Sequence, residues 1–127
     1  QFAWLKKTLK KKHKKDHVIV FLHHPFFLEN YGEEEGYSTL SESIRNKYFS
    51  LFDEYGVEFV IAGHLHDNRE ANHNGIGMVT TSAAGRQLGT ALPGIRIIQL
   101  RKGNISQQYF TLEQLPDTRE NVIALFK

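Results

Sequence analysis

A chain of 127 residues can enclose one hydrophobic core but is too short for two domains of ordinary size. Hydrophobic residues make up 40% of it, with nine Phe, five Tyr and one Trp, a composition that excludes a disordered chain. Cys is absent, which excludes disulfides and thiolate metal sites and leaves the compartment open.

The formal net charge of +2 conceals an asymmetry. Lys6, Lys7, Lys10, Lys11, Lys12, Lys14 and Lys15 crowd one short stretch, and acidic residues outnumber basic ones over the rest. Such a cluster attracts nucleic acid or an anionic membrane in some proteins. Here no aromatic residue interleaves with the lysines for base stacking, and Phe2, Leu5 and Leu9 recur behind them at helical spacing. We read a helix over residues 2–14 with a solvated basic face, and expect neither nucleic acid nor a membrane as partner. No apolar run reaches the roughly 20 residues of a membrane-spanning helix. The chain opens on Gln1, inside that helix, so an internal start within a longer protein is expected, and oligomeric state is not readable.

Next, His17-Val18-Ile19-Val20-Phe21-Leu22 is a continuous apolar run, predicted to be a strand buried on both faces and ended by His23-His24-Pro25. Residues 26–40 read as a long loop. A helix is predicted from near Ser41, with Ile44, Tyr48, Leu51, Phe52 and Tyr55 as its apolar stripe and Gly56 as its left-handed stop. Val57 to Ala62 is a second strand, ending at Gly63. Strand, helical crossover and strand make a βαβ unit with parallel strands. The pattern then turns antiparallel: Asn74-Gly75 marks a hairpin between residues 68–73 and the strand around Met78. A loop over 83–93 leads to a strand with Ile95, Ile97 and Leu100, a turn at Gly103-Asn104, a strand over 105–110 and a short helix over 118–126.

In this topology the two parallel strands run directly into His23 and into His64 and His66, at the sheet edge where open α/β sheets place ligands. Gly63 suits a sharp strand exit. His64 and His66, two residues apart, would point the same way on an extended backbone and suit two cations about 3.5–4 Å apart. His23, His64 and His66 are therefore the candidate metal ligands. His24 either lines the pocket or only occupies the loop. His13, His17 and His73 read as solvated or locally satisfied side chains, and Asp67 as a solvated loop acid in preference to a partner that orients an imidazole. Arg86 either approaches a substrate phosphate or is a surface arginine.

The strand–H-x-P and strand–G-H-x-H segments resemble those of the calcineurin-like metallophosphoesterases. The similarity extends over Gly56 to His66 and over Ser82-Ala-Ala-Gly-Arg-Gln-Leu-Gly, closest to a Ser/Thr phosphatase-like branch. The resemblance implies an α/β fold, the C-terminal half of a four-layer α/β/β/α sandwich, with residues 1–127 the C-terminal portion of a single domain. It implies that His23 and His64 bind one metal and His66 another, the pair being divalent or trivalent Mn, Fe, Zn or Mg. It implies hydrolysis of phosphoesters on a protein or small molecule by the intact protein. The family's D-x-H, G-D-x-x-D and G-N-H-[DE] segments, with the bridging Asp and the catalytic His, have no counterpart here. They are expected upstream of residue 1, so this chain alone is expected to be inactive. A non-catalytic scaffold on the same fold, or a mononuclear three-histidine zinc site, are the alternatives.

Overall fold

The computed structural model describes residues 1–12 and 17–125. His13, Lys14, Lys15 and Phe126, which figured in the sequence reading, lie outside the described residues. The chain is mixed α/β, with a mostly parallel sheet and a separate antiparallel hairpin.

The first helix, α1 (Phe2–Leu9), buries Leu9 and packs Phe2 and Leu5 against the core, the stripe set by its spacing. Strand β1 (Ile19–Leu22) follows. Helix α2 (Glu42–Tyr55) stops at Gly56, whose φ of 62° is the left-handed conformation that glycine adopts without a Cβ clash. Strand β2 (Phe59–Ala62) pairs parallel with β1, Ile19 opposite Phe59 and Leu22 opposite Ala62. Strands β3 (Arg69–His73) and β4 (Ile76–Thr80) form a hairpin. Asn74 and Gly75, at φ of 52° and 85°, supply the two positive φ values that a type I′ turn requires. Strand β4 also pairs parallel with β2, giving the order β1-β2-β4-β3.

The second sheet is the hairpin of β5 (Gly94–Arg101) and β6 (Asn104–Thr111). Its connection is Lys102-Gly103, because Asn104, expected in the turn, pairs with Arg101. A 3-10 turn (Leu112–Gln114) and α3 (Arg119–Ala124) end the described chain. Thr118 caps α3 by accepting from the Asn121 amide at 3.2 Å.

One face of the first sheet meets α2. Val60, Ala62, Ile76 and Met78 pack there against Phe49, Phe52, Phe26 and Phe27. Phe52 is fully buried, with its ring in contact with those of Phe26, Tyr48 and Phe49. The stripe predicted for α2 was rotated. Ile44 is exposed, while Phe49 and the charged Arg45 are buried. Arg45 donates to the Tyr31 carbonyl at 2.7 Å and to the Glu33 carbonyl, so a guanidinium occupies a position that apolar spacing alone assigns to nothing.

Strand β1 is also not buried on both faces. Phe21, Ile61 and Val79 lie in one row across the sheet by register. Ile61 and Val79 are buried, but Phe21, on the edge strand, is 67% exposed. A groove of about 740 Å³ runs along this edge, lined by Trp4, Val20 and Phe21 and ending at His23 and His24.

Candidate metal centre

The β1–β2 ladder continues one step past both strands, as the Gly63 amide donates to the His23 carbonyl at 3.2 Å. That bond fixes the two chain exits side by side. Beyond it the backbone departs from the extended path expected of G-H-x-H. The Leu65 amide donates to the Gly63 carbonyl at 2.8 Å, closing a three-residue turn centred on His64 at φ 69°. This is a γ-turn of the rare positive-φ kind. His66 is also left-handed, at φ 50°, whereas Gly63 is not. The conformational strain expected at the glycine sits on the two histidines themselves.

The turn carries the His64 ring across to β1. His64 Nδ1 lies 3.3 Å from His23 Nε2. The His24 ring packs on His64, centroids 4.0 Å apart, and the three residues each offer a nitrogen within 4.8 Å of the other two. Among the described residues this is the one group of three or more His, Asp or Glu side chains so arranged. His66 stands outside the trio. Its Nδ1 is buried without a hydrogen-bond partner, an orphan donor or acceptor of the sort a ligand satisfies.

Desolvation by its surroundings, and then the neighbouring His24, His23 and His66, push the His64 imidazole below its ordinary pKa. The neutral form, which keeps a lone pair for a metal, is thereby favoured. Tyr37, from the long loop, stands with its ring 5.5 Å from that of His64. It is fully open to solvent on its other side, at 92% exposure, and no pattern in the sequence marks it.

Polar bonds hold the loop behind His66. The Ser82 hydroxyl is 2.9 Å from the His66 carbonyl and 2.8 Å from Gln87 Oε1, and its single proton is donated to one of these acceptors at a time. Gln87 donates to the Ala83 carbonyl at 2.6 Å. Asn68 Oδ1 accepts from the Ser82 amide and from Arg96 Nη2, each at 3.1 Å. Arg96, its side chain 4% exposed, also donates to Glu70 at 2.8 Å and to Gln107. The second sheet is thus tied to the segment carrying His66. A charge in the apolar run Ile95-Arg96-Ile97 was the one sequence signal for this.

Asp67 is not the solvated acid expected. Its side chain is 13% exposed and pairs with Arg69 at 3.1 Å. A Cβ on Gly89 would lie 2.6 Å from Asp67 Cγ, so the two segments touch there. Among the described residues Asp67 makes no bond to an imidazole. Arg86 is exposed. His17 and His73 are locally satisfied as expected: His17 bonds Glu58 at 2.9 Å and the Arg101 carbonyl at 2.5 Å, and His73 stacks on Tyr31 at 3.6 Å.

A set of imidazoles fits a borderline cation such as Zn, Fe or Mn, and fits Mg poorly, since Mg selects oxygen. It does not by itself fit two adjacent dications, whose repulsion needs a bridging anion. No carboxylate joins the cluster among the described residues.

The profile of the calcineurin-like phosphoesterase family matches residues 1–68, which include His23, His64 and His66. The serine/threonine-protein phosphatase CPPED1 of Danio rerio is 40% identical over 101 residues, 80% of this chain and 33% of its own length. The CPPED1 proteins of Bos taurus and Homo sapiens are each 37% identical, over 80% of this chain and 32% of their own lengths. The chain therefore spans about a third of the length of these relatives.

Proposed function

This chain belongs to the calcineurin-like phosphoesterase family, and from that membership we propose that it forms the C-terminal portion of one phosphoester-hydrolysing domain. The family implies divalent metal ions. His23 and His64 would hold one, and His66 would face a second through its buried, unpartnered ring nitrogen. The observation that carries the reading is the 3.3 Å approach of His64 Nδ1 to His23 Nε2 at the end of the parallel strands. Two imidazole nitrogens facing each other at that distance could share one cation.

Bound metals supply Lewis acidity toward phosphoryl oxygens and acidify a water for in-line attack on phosphorus. This chain's residues do the holding. The surroundings of His64 favour its neutral form, His66 is braced through its carbonyl by Ser82, and the Tyr37 ring stands 5.5 Å from that of His64. The bridging carboxylate is proposed to come from sequence outside this chain, so the 127 residues alone would bind metal without turning over substrate. Because the relatives are named serine/threonine-protein phosphatases, phosphoserine and phosphothreonine proteins are the proposed substrates. Mn, Fe or Zn are the proposed metals.

Replacing His64 by Ala in the intact protein should abolish metal-dependent hydrolysis of p-nitrophenyl phosphate and of a phosphoserine peptide. Unchanged turnover would refute the assignment. Metal binding with no turnover by the unmodified intact protein would instead favour a scaffold.

A further inference from the structure

We propose that His24 is itself a metal ligand, and that His23, His24 and His64 form a site able to bind one divalent transition cation within this chain, without a carboxylate. The inference rests on the function proposed above, shares its His23 and His64, and adds a third ligand to that first site, with His66 still outside it.

The geometry carries it. With Zn–N bonds of 2.0–2.1 Å, the nitrogens of a tetrahedral site are about 3.3–3.4 Å apart. The separation of His23 Nε2 and His64 Nδ1 is 3.3 Å, already one edge of that tetrahedron. A nitrogen from each of His23, His24 and His64 lies within 4.8 Å of the others, so the remaining edges close by about 1.5 Å or less. His23 and His24 are exposed, and side-chain rotation supplies that movement without repacking the core.

The placement of His24 needs a cause. Successive residues of a strand point to opposite faces. If the strand path continued through His23 and His24, only one ring would reach His64. The strand ends at Leu22, and both rings gather on His64, with centroids 5.1 Å and 4.0 Å away. Pro25, which is buried, anchors the chain immediately afterward and holds the pair at the sheet edge. None of the three rings has an acid or a backbone carbonyl as hydrogen-bond partner among the described residues, in contrast to His17, which has both. A lone pair not engaged by the protein is what a metal ligand requires. The all-nitrogen donor set selects Zn(II), Co(II) or a similar ion over Mg(II).

The test uses the purified 127-residue chain, with Co(II) followed by its visible absorption and Zn(II) by calorimetry. The unmodified chain should take up one equivalent of either ion. His24→Ala should weaken binding at least about tenfold, since loss of even an outer partner of a ligand costs that much. His66→Ala should change it less than threefold. If His24→Ala binds as tightly as the unmodified chain, or if His66→Ala is the variant that loses binding, the His24 site is overturned. The metallophosphoesterase reading, judged by His64→Ala in the intact protein, would survive either result. Absence of binding by the unmodified chain also overturns the site. Far-UV circular dichroism identifies a variant that fails to fold. X-ray absorption of the Co(II)-loaded unmodified chain then decides, with three imidazoles supporting the proposal and two refuting it.

Discussion

Arg45→Met tests whether a buried guanidinium organises the loop beside the histidine cluster. Arg45 is 1% exposed and donates to the carbonyls of Tyr31 and Glu33. Glu33 in turn accepts from the amides of Leu28, Glu29 and Asn30 at 2.8, 3.0 and 3.2 Å. Tyr31 stacks on His73 and donates to Asn46 at 2.8 Å. One side chain on α2 therefore gathers the first half of the loop whose second half brings Tyr37 to His64. Two charge-assisted hydrogen bonds are worth about 1.5–3 kcal/mol each. Against this, the guanidinium is desolvated and its Nε has no partner, so removing it returns part of that sum. Methionine keeps the stem's packing but leaves both carbonyls without a donor. The balance is a loss of about 2–4 kcal/mol, a large fraction of the about 5–15 kcal/mol that holds a domain folded. Arg45→Lys, with one ammonium to reach one carbonyl, should lose about half as much. Urea unfolding with an unchanged m-value measures both, and hydrogen exchange should quicken at Leu28, Glu29 and Asn30. A loss below about 0.5 kcal/mol in the methionine variant would refute the reasoning, because the refund would then equal the bonds.

Three further outcomes are expected. Phe52→Ala should cost about 3–5 kcal/mol in chemical denaturation, as a fully buried ring in contact with three others leaves a cavity that its neighbours fill only in part. Gly89→Ala should cost about 1–3 kcal/mol in chemical denaturation, because the new methyl displaces the Asp67 side chain. The His17 pKa is raised, chiefly by its bond to the Arg101 carbonyl and then by Glu58. Protonated His17 therefore stabilises the fold fully below the ordinary value of 6.5, and that contribution is lost as pH rises through the raised value. Comparing thermal midpoints of the unmodified chain and His17→Gln across pH 5–9 isolates the effect, since His64, shifted downward, titrates with the opposite sign in both. A difference that grows toward high pH would contradict the assignment.

Backbone order was legible where local chemistry dictates it. Gly56 had to be left-handed to end α2, and Asn74-Gly75 had to form the hairpin turn. Two apolar runs separated by a helix had to be parallel, which brought His23 and His64 together although 41 residues separate them. Side-chain surroundings were less legible, because periodicity reports which residues share a face and not what covers it. Phe21 reads like Val20 but lies on the uncovered face of an edge strand. Arg45 reads as a surface charge, yet loop carbonyls distant in sequence solvate it. The departure at G-H-L-H had a similar origin. Spacing places two histidines on one side of an extended chain, whereas the bond closing Leu65 onto Gly63 is a local choice that spacing does not encode. His24 joined the cluster through the same turn, and Asp67 was withdrawn from solvent by Gly89 and Arg69.

The left-handed backbone at His64 and His66 sets stability against the proposed metal binding within two residues. Each side chain there holds a conformation that costs an ordinary L-residue about 1 kcal/mol or more and glycine almost nothing. A sequence selected only to fold would place glycine at both positions. The metal-free chain should therefore unfold at higher temperature as His66→Gly than as His66→Ala, while neither variant regains the lost imidazole. Under the proposed metal-binding role, replacing either histidine by glycine relaxes this loop and also removes a nitrogen meant for a metal.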